Sequence, residues 1–188
     1  MTSRSTQENA AIAAAYDFAG LGTLIDVGGG HGSCLAAILR AHPGLRGVLF
    51  DRPQVVAEAW HQLEAAGLGG RCEVVAGDFF VSLPAGGDAY MLKRVLHDWD
   101  LATKRQLIAK VFAALPPGGA FLVHEALIDD DRRQHAYGLL MSLTMLIDTH
   151  GGFDFTGAEC TTWMREAGFA ETRIAPLVGH DALVVGIK

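Results

Sequence analysis

Three glycines constrain this chain more than any other feature. Gly28, Gly30 and Gly32 interrupt it between an apolar run, Leu24 to Val27, and a segment that places Leu35, Ile38 and Leu39 on one helical face. The run has the length of a strand buried on both sides. Pro43-Gly44 stops the helix, and Val48-Leu49-Phe50 forms a second strand that delivers Asp51. Strand, glycine turn, helix and strand make a βαβ unit. A bend this tight needs φ angles that glycine adopts cheaply, and the missing Cβ atoms let a ligand approach the backbone.

The spacing is G-x-G-x-G, whereas the dinucleotide fingerprint is G-x-G-x-x-G. Asp26 stands just before the first glycine, where it would repel a pyrophosphate and attract a cation. Asp51, at the end of the second strand, can accept hydrogen bonds from both hydroxyls of a ribose. These features favour S-adenosylmethionine, a nucleoside bearing a sulfonium and an amino acid. The residues leave open two other readings, NAD and a ligand-free turn.

A chain of 188 residues, half of them hydrophobic, can bury one full core, so residues 1–188 are expected to form a single domain. The net charge of −6 and the lack of a basic run argue against a nucleic-acid surface. Cys34, Cys72 and Cys160 are far apart, with no C-x-x-C pair. They fit a reducing cytoplasm without disulfides or zinc. No signal peptide or membrane span is visible, since the apolar stretch 139–147 is too short to cross a bilayer.

Along the chain, Ser5-Thr6-Gln7-Glu8 has the form of a capping box that would start a helix at Thr6, with Ile12, Ala15, Tyr16 and Ala19 inward. Pro53 opens a helix with Val56, Trp60 and Leu63 at helical spacing. Strands are expected over 72–76, 88–93 and 120–124, the last reaching Glu125. Asp100 is expected to cap a helix with Leu107, Val111 and Leu115 inward. Two further helices cover 135–147 and 156–167, the second capped by Thr156 with Glu159 three residues after it, and the strands 169–175 and 182–187 are close enough to pair antiparallel. The pattern is β-α repeated five times and a terminal hairpin, an α/β doubly wound sheet.

With these residues laid out, the chain resembles the class I S-adenosylmethionine-dependent O-methyltransferases, of the caffeic acid and flavonoid type and its bacterial natural-product relatives. DVGGGHG (Asp26–Gly32), DRPQVV (Asp51–Val56), GDFF (Gly77–Phe80), LKRVLHDWD (Leu92–Asp100), PPGG (Pro116–Gly119) and LVHE (Leu122–Glu125) occur in family order. The resemblance implies a Rossmann-like seven-stranded sheet in the order 3-2-1-4-5-7-6, with strand 7 antiparallel.

For the cofactor, the resemblance places the amino acid on Gly28 and Gly30, the ribose on Asp51 and the adenine on Asp78 with Phe79 beside it. Lys93 matches a lysine near the cofactor, and Ser5, in an M-x-x-x-S stretch from Met1, matches a serine that touches the carboxylate. S-adenosylhomocysteine would be the product.

For catalysis, His97 matches the general base, and Glu125 and Asp154 match the acids flanking it. The family pattern GG-[RK]-E-R-T reads Gly151-Gly152-Phe153-Asp154-Phe155-Thr156 here, with a shorter acid and two aromatics in place of basic residues. Met141, Met145 and Leu146 fall where the family builds its acceptor pocket. The run Asp129-Asp130-Asp131 is read as solvated, and no metal is expected.

The acceptor implied is a hydroxyl of a small aromatic natural product. A family member that binds the cofactor without methylating is the alternative. Full-length members carry a further N-terminal domain that makes a homodimer and covers the pocket. Met1 aligns with an internal methionine, so the resemblance is to the catalytic domain alone, with cofactor binding but weak or absent methylation expected in isolation.

Overall fold

The computed structural model describes residues 2–188, with side chains from residue 5 onward. Seven strands form one sheet: β1 (Thr23–Val27), β2 (Arg46–Asp51), β3 (Cys72–Ala76), β4 (Ala89–Lys93), β5 (Ala120–Ala126), β6 (Glu171–Pro176) and β7 (Asp181–Ile187). Their order is β3-β2-β1-β4-β5-β7-β6. The first five are parallel and β7 is antiparallel to both β5 and β6. This is the topology that the resemblance implied.

Among the described residues six α-helices accompany them: α1 (Thr2–Ala15), which precedes β1, α2 (Ser33–Ala41), α3 (Pro53–Ala65), α4 (Leu101–Ala114), α5 (Ala136–Asp148) and α6 (Gly157–Ala167). The central strands alternate their side chains between two cores. Leu24, Met91 and Leu122 pack with Ile12, Ile38, Leu39 and Leu63 from α1, α2 and α3. Ile25, Tyr90, Phe121 and Val123 pack on the other face with Leu107, Val111, Trp163 and Met164 from α4 and α6. A one-residue period flip between two greasy faces is why these strands read as continuous apolar runs.

Some sequence expectations are corrected. The helix α1 already runs from Thr2, so Ser5 lies inside it and is no cap; Met1 of the M-x-x-x-S stretch lies outside the described residues. On α3 the inward positions are Ala59 and Leu63, while Trp60 points out and is 37% exposed. On α5 only Met145 of the three pocket candidates is buried, and Leu146 is exposed with Leu140, Leu143 and Ile147. Glu125 lies within β5 and does not follow it.

Two expected caps are present. Asp100 Oδ1 accepts from the Thr103 amide at 2.8 Å. Thr156 and Glu159 exchange both capping-box hydrogen bonds, which fixes where the chain leaves residues 153–155 and enters α6.

Candidate functional site

The carboxyl edge of the parallel strands gathers the glycine turn and the acids. Gly28, Gly30 and Gly32 all have positive φ (72°, 56° and 77°). A Cβ on Gly28 would lie 2.9 Å from Val95 Cγ2, whereas one on Gly30 would meet nothing within 4 Å. The turn is therefore closed toward β4 and open outward, the shape a ligand needs to reach its amides.

Asp51 Oδ2 accepts from the Gly30 amide at 2.9 Å and Oδ1 from the Arg52 amide at 2.7 Å. The acid ending β2 thus braces the glycine turn across the crossover. Both groups border a cleft of about 610 Å³, shared with Gly77, Asp78, Phe79, Phe80, Val95, Asp98 and Trp99.

Asp26 is 1% exposed, and neither of its carboxylate oxygens has a hydrogen-bond partner among the described residues. Burial pushes its carboxyl up to about 7, and Lys93 opposes that only in part. A buried acid with no partner is costly unless something polar arrives to satisfy it. It borders a cavity of about 150 Å³ with Gly28, Gly29, Gly30, Lys93 and Arg94. Lys93 Nζ donates to Asn9 Oδ1 at 2.9 Å and lies 3.8 Å from Glu8 Oε2. Arg94, held in a left-handed conformation at φ 53°, reaches Asp181 at 3.0 Å and Glu8 at 3.4 Å. Lys93 is thus no solvated charge: with Arg94 it pins α1 across the strand ends, one turn after half-buried Ser5.

Asp78 is exposed and its Oδ1 accepts from the Phe80 amide at 2.7 Å, so it shapes its own loop. Phe79 and Phe80 meet Trp99 edge-on, at 6.0 and 4.8 Å between ring centroids, and form an aromatic wall of the cleft. The Asp129-Asp130-Asp131 run is partly explained by Asp129, whose oxygens accept from the amides of Arg133, Gln134 and His135.

His97, Glu125 and Asp154 converge, although they come from three segments. His97 sits in a short 3-10 turn, Leu96–Asp98, after β4. Glu125 Oε1 accepts from the amides of Leu96 at 3.1 Å and His97 at 3.4 Å, so the acid in β5 holds the backbone of that turn. Asp154 is brought in because the chain after β5 pairs with residues 155–156: the Ile128 amide donates to Phe155 O at 3.0 Å.

His97 Nδ1 lies 3.2 Å from Glu125 Oε2 and 3.3 Å from Asp154 Oδ1. Two carboxylates at one nitrogen place the proton on Nδ1 and leave Nε2 as the basic atom. Nε2 faces Asp98 Oδ1 at 3.4 Å. His97 itself is 6% exposed and Asp98, next to Nε2, lines the cleft. Burial lowers the affinity of His97 for a proton, but Glu125, Asp154 and Asp98 outweigh it and its pKa rises above the usual 6.5. Burial also raises the Glu125 carboxyl to about 7, with His97 pulling it back.

The sequence reading did not single out Asp98, Arg94, Lys104 or the second glycine of Gly151-Gly152 for a role here. Gly152 packs against the turn that carries His97: a Cβ there would lie 2.6 Å from the His97 carbonyl oxygen and against Thr149. Replacing Gly152 by alanine is expected to destabilise the fold by about 1–3 kcal/mol as the turn is pushed away. A lowered thermal midpoint checks this; an unchanged one shows that the turn yields freely.

Comparisons with known proteins bear on the family and the fold. A model of the O-methyltransferase domain family matches residues 1–170. The chain is 42% identical over 180 residues to 3-hydroxy-5-methyl-1-naphthoate 3-O-methyltransferase of Streptomyces sahachiroi, covering 94% of this chain and 52% of that protein. The solved structure of mitomycin 7-O-methyltransferase superposes with a TM-score of 0.91 at 39% identity, over 99% of this chain and 54% of that one. The structure of PigF with SAH gives a TM-score of 0.90 at 34% identity, over 97% of this chain and 55% of that one. The chain spans about half the length of the curated relatives it matches. With the predicted strand order in place and the motif residues on one sheet edge, the chain belongs to the O-methyltransferase domain family.

Proposed function

We propose that this domain transfers a methyl group from S-adenosylmethionine to a hydroxyl of a small aromatic natural product, with His97 as general base. The observation that carries this reading is the pair of buried carboxylates on His97 Nδ1. A single carboxylate on Nδ1 orients the base of hydrolase triads by the same logic. Two of the relatives named above are O-methyltransferases, of a hydroxynaphthoate and of mitomycin, and one solved neighbour holds SAH.

The residues present fit the cofactor. Asp26 offers an unsatisfied anion, the glycine turn offers open backbone, and Asp51 has acceptor capacity left beyond its two amide bonds. Gly28, Gly30, Asp26 and Lys93 would hold the amino-acid end, with Ser5 beside it on α1. Asp51 would hold the ribose, and Asp78 and Phe79 the adenine. When bound, the cofactor supplies an electrophilic methyl on a sulfonium.

His97 Nε2 takes the acceptor's hydroxyl proton. Full transfer from a phenol of pKa about 10 to an imidazole of about 6.5 costs about 5 kcal/mol. Glu125 and Asp154 lower that cost by stabilising the imidazolium. Asp98, 3.4 Å from Nε2, is a second acceptor for the incoming hydroxyl. Phe79, Phe80 and Trp99 supply flat apolar surface for the rings.

The exposed apolar face of α5 (Leu140, Leu143, Leu146 and Ile147) suits cover by the N-terminal domain of a full-length homodimer. Among the described residues no helix is long and apolar enough to cross a membrane, and a cytoplasmic location is part of this proposal.

Calorimetric titration tests the ligand assignment. S-adenosylhomocysteine is expected to bind, and NAD not. Its ammonium favours ionised Asp26, so affinity should fall as pH drops below about 7, with a proton released on binding near that pH. Tighter binding of NAD sinks the assignment.

A further inference from the structure

Lys104 is fully buried, and no carboxylate forms a contact ion pair with it among the described residues. Its ammonium donates to the carbonyl of Trp99, next to the turn that carries His97. It also lies over the face of Phe153, 3.5 Å from the ring centroid, and 5.6 Å from that of Phe155. Those two rings flank Asp154, and they stand where the family pattern has basic residues. A buried ammonium with no contact counter-ion is expensive, so something in its surroundings must retain it.

That something is the field of four acids facing it from four segments. Asp98 lies on the His97 turn, Asp100 caps α4, Glu125 lies in β5 and Asp154 precedes α6. All four favour the charged lysine. His97 and Arg94 in turn favour the ionised form of Glu125; His124, also in β5, is kept neutral by burial and by Lys93 and Arg94.

We propose that Lys104 is a positioning residue of this centre: its ammonium ties the turn carrying His97 to the segment carrying Asp154, and balances the acids that hold the imidazole. The proposal rests on the reading of His97 as base. Burial draws the Lys104 pKa down to about 8, which still leaves the ammonium mostly charged at pH 7. The cation–π contact with Phe153 adds a geometric hold that a solvated lysine lacks.

The sign of the effect follows from charge alone. Removing a cation makes proton uptake easier for every group around it. His97 then protonates at higher pH, and the neutral, active form is lost earlier as pH falls.

The test is the NMR titration of the His97 imidazole in the whole chain, assigned by comparison with His97→Gln. Lys104→Met and Lys104→Gln serve as two neutral variants, each checked for fold by S-adenosylhomocysteine binding. Both are expected to raise the His97 midpoint by about one unit, and the acidic limb of the single-turnover rate should move by the same amount. A midpoint that stays or falls in a variant that still binds overturns the proposal, whatever happens to thermal stability. A merely structural lysine would lower the melting temperature and leave the midpoint alone. Since the titration reads the influence of Lys104 on the His97 midpoint and not methyl transfer, its outcome is separate from the loss of transfer in His97 variants, which tests the base itself.

Discussion

Replacing His97 by asparagine is expected to lower methyl transfer to a phenolic acceptor by about 10²–10⁴-fold, the usual worth of a positioned base. Affinity for S-adenosylhomocysteine should stay as it is. The reason is the division of labour on the ring. Nδ1 is committed to Glu125 and Asp154, at 3.2 and 3.3 Å, and only Nε2 is free to take a proton. Asparagine keeps a polar group beside the acids but has no basic nitrogen. Single-turnover measurement with enzyme in excess reads the rate even where turnover is slow. A variant that keeps most of the transfer rate removes His97 as base. A full-length protein that binds the cofactor yet methylates no aromatic acceptor favours the non-methylating family member instead.

Asp51→Ala is expected to weaken cofactor binding by about 10- to 100-fold, in line with hydrogen bonds to a charged group at about 1.5–3 kcal/mol. Two losses combine. The ribose hydroxyls lose their acceptor, and the Gly30 amide loses the carboxylate that holds it at 2.9 Å. The second loss loosens the glycine turn itself, whose three positive φ angles have no other side-chain brace at Gly30 among the described residues. Calorimetry gives the affinity and a thermal melt shows whether the fold persists. A well-folded variant with unchanged affinity removes Asp51 from the ribose site.

Much of the site was legible because its signals are local. A glycine turn between a buried strand and an amphipathic helix announces itself in a dozen residues. Asp26 and Asp51 are placed by the strands they sit on or end. Thr156 and Glu159 form the capping box that their spacing suggested. The similar box at Ser5 and Glu8 misled, since α1 starts earlier and Glu8 is drawn into contact with Lys93 and Arg94. Trp60 misled too: helical spacing finds a stripe, yet Ala59 and Leu63 mark the side that faces the sheet.

Resemblance to the family named the three residues that meet at His97 Nδ1, while the sequence by itself determined the strand and helix order and the glycine turn. The reason is that backbone conformation and hydrophobic period are settled by neighbours in the chain. Only the tertiary structure decided that Asp26 has no partner, that Gly152 lies against the His97 carbonyl and that Lys104 sits buried over Phe153. Those facts depend on which distant segments share a low-dielectric space, and no local pattern in a chain encodes that distance.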